Sequence, residues 1–139
     1  MIKKSKKIDG VFTIHHDSYN DDRGVISEVY RFNEIHQYLG YTPLQATHTR
    51  SLPGVLRGLH AQAWSRIVYP VNGEILNVLV DTREYSMTFG KVETFLINDV
   101  HRYSIYVPSF VANGYVVLGK NSVDYLYFLD QYYEEKYNK

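Results

Sequence analysis

Apolar and polar positions alternate in short blocks broken by turn residues, the pattern of many brief strands. Residues 11–14, Val-Phe-Thr-Ile, read as a strand closed by His15-His16-Asp17-Ser18. Residues 20–24, Asn-Asp-Asp-Arg-Gly, are turn chemistry, and residues 25–30 return to a strand pattern. Phe32, Ile35 and Leu39 recur at helical spacing, with Asn33 placed to cap a helix and Gly40 to stop it. Residues 44–51 are polar on both faces, as suits an edge strand or the wall of a polar cavity. Asn72-Gly73, between the apolar runs 67–71 and 74–81, predicts a hairpin. Residues 94–97, 104–107, 115–118 and 124–129 read as further strands separated by turn signals. Strands at this spacing predict an all-β antiparallel sandwich or barrel with one short helix. No repeat or linker divides residues 1–139, so a single domain is expected.

Composition narrows the function classes. At 139 residues the chain is long enough for one core and too short for two. Lys+Arg and Asp+Glu number 15 each, so the formal net charge is zero. That balance argues against nucleic acid or an anionic membrane as partner, since both call for a basic excess. With no cysteine, the chain has no disulfide, thiolate or cysteine-metal chemistry. The basic start, Met1 to Lys7, runs into Ile8-Asp9-Gly10 and not into an apolar signal core. No apolar run approaches the roughly 18 residues of a membrane helix. The expectation is a cytoplasmic protein. Tyrosine is over-used, at 14 against 6 Phe and one Trp, which strand propensity explains for most positions.

Candidate chemistry concentrates in Gly54-Val55-Leu56-Arg57-Gly58-Leu59-His60-Ala61-Gln62. In regular extended chain Arg57 and His60 face opposite sides. A bulge or kink at Gly58 brings both into one cavity, where a cation and a titratable base suit an anionic substrate that must lose a proton. A strand end with both side chains solvated fits the same spacing. The neighbouring pair His15-His16 diverges in extended chain and reads as exposed loop, not as a metal site. Arg23 and Glu28 read, on their own, as a turn charge and a strand-face charge.

Residues 49–62, Thr-Arg-Ser-Leu-Pro-Gly-Val-Leu-Arg-Gly-Leu-His-Ala-Gln, closely resemble the signature of the dTDP-4-dehydrorhamnose 3,5-epimerases. The likeness continues through Val80-Asp81-Thr82-Arg83, Ser86-Met87-Thr88-Phe89-Gly90, Val107-Pro108, Ala112-Asn113-Gly114-Tyr115, Leu126-Tyr127 and Tyr132-Tyr133, in order, over residues 22–133. The resemblance implies a double-stranded β-helix (cupin, jelly-roll) acting on nucleotide-linked 4-keto-6-deoxy sugars. It implies His60 as the base beside the ketone and Tyr127 as the acid on the opposite face. Arg66 stands where the family usually has Lys, a cation near the ketone oxygen. Arg57, Gln45, Thr47 (in place of Asn), Gln62, Asn113 and Tyr133 are implied in substrate binding. Arg23 and Glu28 match an Arg-Gly-x-x-x-Glu pattern in which a swapped N-terminal segment, about residues 1–30, reaches the nucleotide of the neighbouring subunit. A homodimer follows as an expectation. No cofactor is expected, because enolate chemistry needs only a base, an acid and donors at the oxygen. No metal is expected either, since Gln62 occupies the place of a second histidine.

The chain also departs from the family. Asn113 replaces a common His, and Asn77 a common Asp. Relatives continue past position 139 into a segment whose Asp pairs with the catalytic histidine, so His60 is expected to rely on another carboxylate or on none. The loop from Gln62 to Arg66 is short. These departures leave open a 3,4-ketoisomerase, whose small cupins carry His-x-His where this chain has His60-Ala61-Gln62, and a non-catalytic sugar-nucleotide binder.

Overall fold

A computed structural model describes residues 1–137; Asn138 and Lys139, the end of the single-domain expectation, lie outside the described residues. In chain order the strands are β1 (Ile2–Lys4), β2 (Phe12–Ile14), β3 (Ser18–Asp21) and β4 (Gly24–Ser27). Helix α1 (Phe32–Leu39) follows, then β5 (Gln45–Ser51), β6 (Leu56–His60), β7 (Arg66–Pro70) and β8 (Ile75–Asp81). The series ends with β9 (Val92–Ile97), β10 (Ser104–Val107), β11 (Val111–Val117), β12 (Val123–Leu129) and a 3-10 turn at Glu135–Tyr137.

Two antiparallel sheets face one another as a double-stranded β-helix. One has the order β1-β2-β10-β7-β12-β5, the other β6-β11-β8-β9, and β3 pairs only with β4. Alternation sets the core. Ile75, Leu79, Tyr115, Val117, Val123 and Tyr125 point inward between the sheets and bury with Val68, Phe95, Ile97 and Ile105. The larger sheet is covered on its other face too, where Ile35 of α1 packs with Ile14, Tyr41 and Ile67. That second layer explains why all five residues of β7 are buried and why it reads as a continuous apolar run.

Three local expectations are corrected. The Asn72-Gly73 turn does not close a hairpin: β7 and β8 belong to different sheets, and the turn is the corner where the chain crosses between them. Asn72 pins that corner to β12, donating to the Ser122 carbonyl (3.0 Å) and accepting from Asp124 N–H (2.8 Å). Helix α1 starts at Arg31, whose side chain makes no cap bond, and Asn33 lies inside the first turn. Gly40 does stop it, in the left-handed region at φ 64°. Of the helical face, Ile35 is buried but Phe32 is exposed and stacks on His36. The strand pattern of residues 25–30 ends at Ser27, and Tyr30 instead stacks on Phe128. Strands β1 and β3 carry no periodic signal long enough to read.

Behind the β8–β9 connection, buried Asp81 accepts from Arg83 Nε (2.8 Å), Ser86 Oγ (2.7 Å) and Thr88 Oγ1 (2.6 Å). Burial alone raises its carboxyl, but these donors outweigh that and hold it far below the usual carboxylate range. This lock fixes the loop and takes no part in the site.

Candidate functional site

The strand pairing of β6 with β11 determines which side chains meet. His60 lies opposite Asn113 and Arg57 opposite Tyr115, so β6 spends three steps where β11 spends two. The extra residue is the bulge expected at Gly58, and it turns Arg57 and His60 to the same side. Gly58 has φ 115°, and a Cβ there would stand 2.7 Å from Gly114 Cα and 2.8 Å from the Asn113 carbonyl oxygen. Only glycine permits that approach.

The result is a cavity of about 160 Å³ between the sheets. Thr47 of β5, Arg66 of β7 and Tyr127 and Leu129 of β12 line it from one sheet; Arg57 and His60 of β6 and Asn113 and Gly114 of β11 line it from the other. Gln62 and Tyr133 complete the rim. Polar β5 is both things its pattern allowed, an edge strand and a cavity wall.

Arg66 is fully buried. Its Nη2 donates to the carbonyls of His60 (3.1 Å) and Val111 (2.8 Å), and Nη1 to Trp64 (3.3 Å). Nε has no hydrogen-bond partner, and no carboxylate lies within ion-pair distance of the guanidinium, among the described residues. Burial pulls the guanidinium down to about 10, so it stays cationic at neutral pH. Asp130 attracts it only from beyond ion-pair distance, so the buried cation favours negative charge in the cavity beside it. Tyr127, packed edge-on to Tyr125 at 4.8 Å, is pushed up by burial, while Thr49, Arg57 and Arg66 pull it back. The imidazole of His60 has no side-chain hydrogen bond among the described residues.

Asn113 is held from behind. Asn77 Nδ2 donates to Asn113 Oδ1 (2.8 Å), Asn113 Nδ2 to Tyr125 Oη (3.4 Å), and Tyr125 Oη to Asn77 Oδ1 (2.6 Å). The three buried groups close a neutral ring under the cavity floor.

Three residues singled out in the sequence stand elsewhere. Gln45 accepts from the Tyr133 N–H (3.1 Å) and donates to Thr47 Oγ1 (3.0 Å), so it backs two lining residues without lining the cavity. Arg23 pairs with Asp21 (2.7 Å) and Glu28 with Arg31 (3.3 Å), both on or beside the exposed β3–β4 hairpin. Tyr133 meets Trp64 edge-on at 5.5 Å. Sequence reading missed Gly114 and Leu129 in the lining, and the supporting hydroxyls of Thr49, Ser51, Tyr115 and Tyr125. Period-two alternation on β5 marks Gln45, Thr47, Thr49 and Ser51 as one inward row, the one signal that pointed to the first two of these. Among the described residues no three His, Cys, Asp or Glu side chains gather to hold a metal ion, and no helix is long and apolar enough to cross a membrane.

Residues 5–139 match the family model for dTDP-4-dehydrorhamnose 3,5-epimerase. The chain is 35% identical over 119 residues to the Neisseria gonorrhoeae protein of that name, covering 83% of this chain but only 36% of the relative. It is 31% identical over 133 residues to the Escherichia coli K12 protein, covering 91% of this chain and 71% of the relative. Among solved structures, it is similar to the Legionella pneumophila dTDP-6-deoxy-D-glucose-3,5-epimerase in complex with dTDP-4-keto-L-rhamnose. That likeness has TM-score 0.90 and 29% identity, over 99% of this chain and 75% of that one. The Mycobacterium tuberculosis epimerase aligns with TM-score 0.88 at 30% identity, over 99% of this chain and 71% of that one.

Proposed function

The chain belongs to the dTDP-4-dehydrorhamnose 3,5-epimerase family, and on that premise we propose that it epimerises a nucleotide-linked 4-keto-6-deoxy sugar at carbon 3, carbon 5 or both. His60 takes a proton from a carbon beside the ketone, and the electron pair moves onto the ketone oxygen as an enolate. Arg66 supplies the nearest buried positive charge to that oxygen. Tyr127 returns a proton to the opposite face of the carbon, which inverts it. Arg57, Thr47, Gln62, Asn113 and Tyr133 hold the sugar nucleotide, and Gln45 braces Thr47 and Tyr133.

One observation carries this reading. His60 and Tyr127 line a single cavity from opposite sheets, together with the buried Arg66, whose Nε has no hydrogen-bond partner among the described residues. The Legionella relative, in complex with a dTDP-linked keto sugar, supports the substrate class. We assign Arg23 and Glu28 to the partner's substrate, which makes the working unit a homodimer. A second reading, a sugar-nucleotide binder without turnover, draws on the absence, among the described residues, of any carboxylate holding the His60 imidazole.

Incubation with dTDP-4-keto-6-deoxyglucose in deuterated water separates the two. Mass spectrometry is expected to show one or two deuterons entering the sugar, and none with His60→Ala. Binding without deuterium uptake supports the non-catalytic reading, and uptake unaffected by His60→Ala removes His60 as the base.

A further inference from the structure

Leu129 is a buried leucine that sits outside the core. It is 4% exposed, yet of the buried Val, Leu and Ile side chains among the described residues it alone belongs to neither apolar cluster. It lines the cavity, where every other lining side chain among the described residues carries a nitrogen or oxygen. A leucine in the core covers its surface with apolar neighbours. This one turns aliphatic surface toward a space that is otherwise polar.

Strand register determines which groups flank it. On β12 Leu129 follows Tyr127 by two residues, so both side chains leave the same face, roughly 7 Å apart along the strand. Across the ladder Leu129 lies opposite Arg66 of β7, as Tyr127 lies opposite Val68. The leucine is therefore a neighbour of both the acid and the cation of the proposed reaction. A 4-keto-6-deoxy sugar has one substituent that neither donates nor accepts a hydrogen bond, the methyl group of carbon 6. Carbon 5 bears that methyl, adjoins the ketone carbon, and is one of the two carbons open to inversion.

We propose that Leu129 is a specificity-determining residue, the seat of the carbon-6 methyl, which makes the cavity select a 6-deoxy sugar over one with a 6-hydroxymethyl group. The proposal rests on the reading of the chain as an epimerase of a nucleotide-linked keto sugar. With the ketone oxygen turned to Arg66 and carbon 5 facing Tyr127, the methyl occupies the corner that Leu129 closes. There it removes apolar surface from water against apolar surface. A hydroxyl in the same corner loses its water to an aliphatic wall that returns no hydrogen bond. The polar lining residues are left to the ring hydroxyls and the diphosphate, which need them.

Three nucleotide sugars that share a ring configuration and differ only at carbon 6 test this without turnover. dTDP-6-deoxy-D-glucose carries the methyl, dTDP-D-xylose has no carbon 6, and dTDP-D-glucose carries the hydroxymethyl group. In titration calorimetry the parent is expected to bind the first about fourfold tighter than dTDP-D-xylose, the effect of one buried methyl. Its preference over dTDP-D-glucose is expected to be about tenfold. Leu129→Ala brings the preference over dTDP-D-xylose to within about twofold, and Leu129→Ser does the same for the preference over dTDP-D-glucose. A readout that needs no variant stands beside these. In the parent complex with dTDP-6-deoxy-D-glucose, a nuclear Overhauser contact joins the carbon-6 methyl to the Leu129 δ-methyls, and its absence overturns the proposal. Equal affinities of the parent for all three sugars overturn it too. So do preferences that persist in both variants, even where all three affinities drop together, as a merely structural role would have it. Deuterium uptake from dTDP-4-keto-6-deoxyglucose alongside any of these results leaves the epimerase reading standing. Failure to bind any of the three sugars overturns the nucleotide-sugar reading and this proposal with it.

Discussion

Asn77 and Asn113 show how much a neutral side chain can decide. The family resemblance places Asp and His at these positions, a pair that titrates. Here two amides and the Tyr125 hydroxyl use one donor and one acceptor each, in a ring that runs one way. The ring fixes both amide orientations, and Asn113 still has a second N–H beyond the one given to Tyr125. Because no member ionises near neutral pH, the cavity floor keeps the same hydrogen-bonding character across that range. Asn77→Leu should leave the Asn113 carbonyl and the Tyr125 hydroxyl buried without those partners, lowering stability by about 1–3 kcal/mol. Urea unfolding measures this, and an unchanged midpoint would show that the ring contributes nothing to stability. Asn113, which lines the cavity, could be singled out from its place in Ala112-Asn113-Gly114-Tyr115. Tyr125 and Tyr115 could not, because a tyrosine in a strand looks the same whether it fills space or closes a network. Their hydroxyl partners lie on strands far away in sequence.

At the level of elements, one inserted residue in β6 does most to build the site. The sequence already held the reason: Arg57 and His60 are an odd number of residues apart, so a regular strand separates them, and the glycine between them permits a bulge. A methyl group at position 58 would meet Gly114 Cα and the Asn113 carbonyl oxygen of β11 at 2.7 and 2.8 Å, backbone atoms that cannot swing aside as a side chain would. Gly58→Ala is therefore expected to cost about 1–3 kcal/mol through strained backbone alone. It should also weaken nucleotide-sugar binding by pulling Arg57 and His60 out of register. Thermal unfolding and a binding titration test the two effects, and a parent-like Tm with full affinity would refute the close-approach account. The Asn72-Gly73 turn teaches the opposite lesson. Asn-Gly states that the chain reverses, while which sheet the next strand joins depends on contacts with β12 that no local pattern contains.

At the scale of the molecule, the β3–β4 hairpin is the part least explained by a single chain. Among the described residues it pairs with no other strand, and Tyr19, Val25 and Ile26 on it are 60–67% exposed. Apolar side chains on an isolated two-stranded ribbon are not stable neighbours of water, and such ribbons hold their shape by packing on something. The same ribbon carries Arg23 and leads to Glu28, two candidate binding residues that, unlike Gln45, neither line the cavity of their own chain nor back its lining. In the homodimer proposed above, a second copy would cover the apolar face and receive the charges at its own nucleotide. A two-fold arrangement lets each copy return the favour. Replacing Val25 and Ile26 together by Asp should convert a dimer into a monomer in sedimentation analysis while leaving the two-sheet core folded by circular dichroism. Arg23→Ala should leave the dimer intact and weaken nucleotide-sugar binding about tenfold, the scale of one charge-assisted contact. A parent chain that sediments as a monomer, or an Arg23→Ala protein with full affinity, would detach the hairpin from the site.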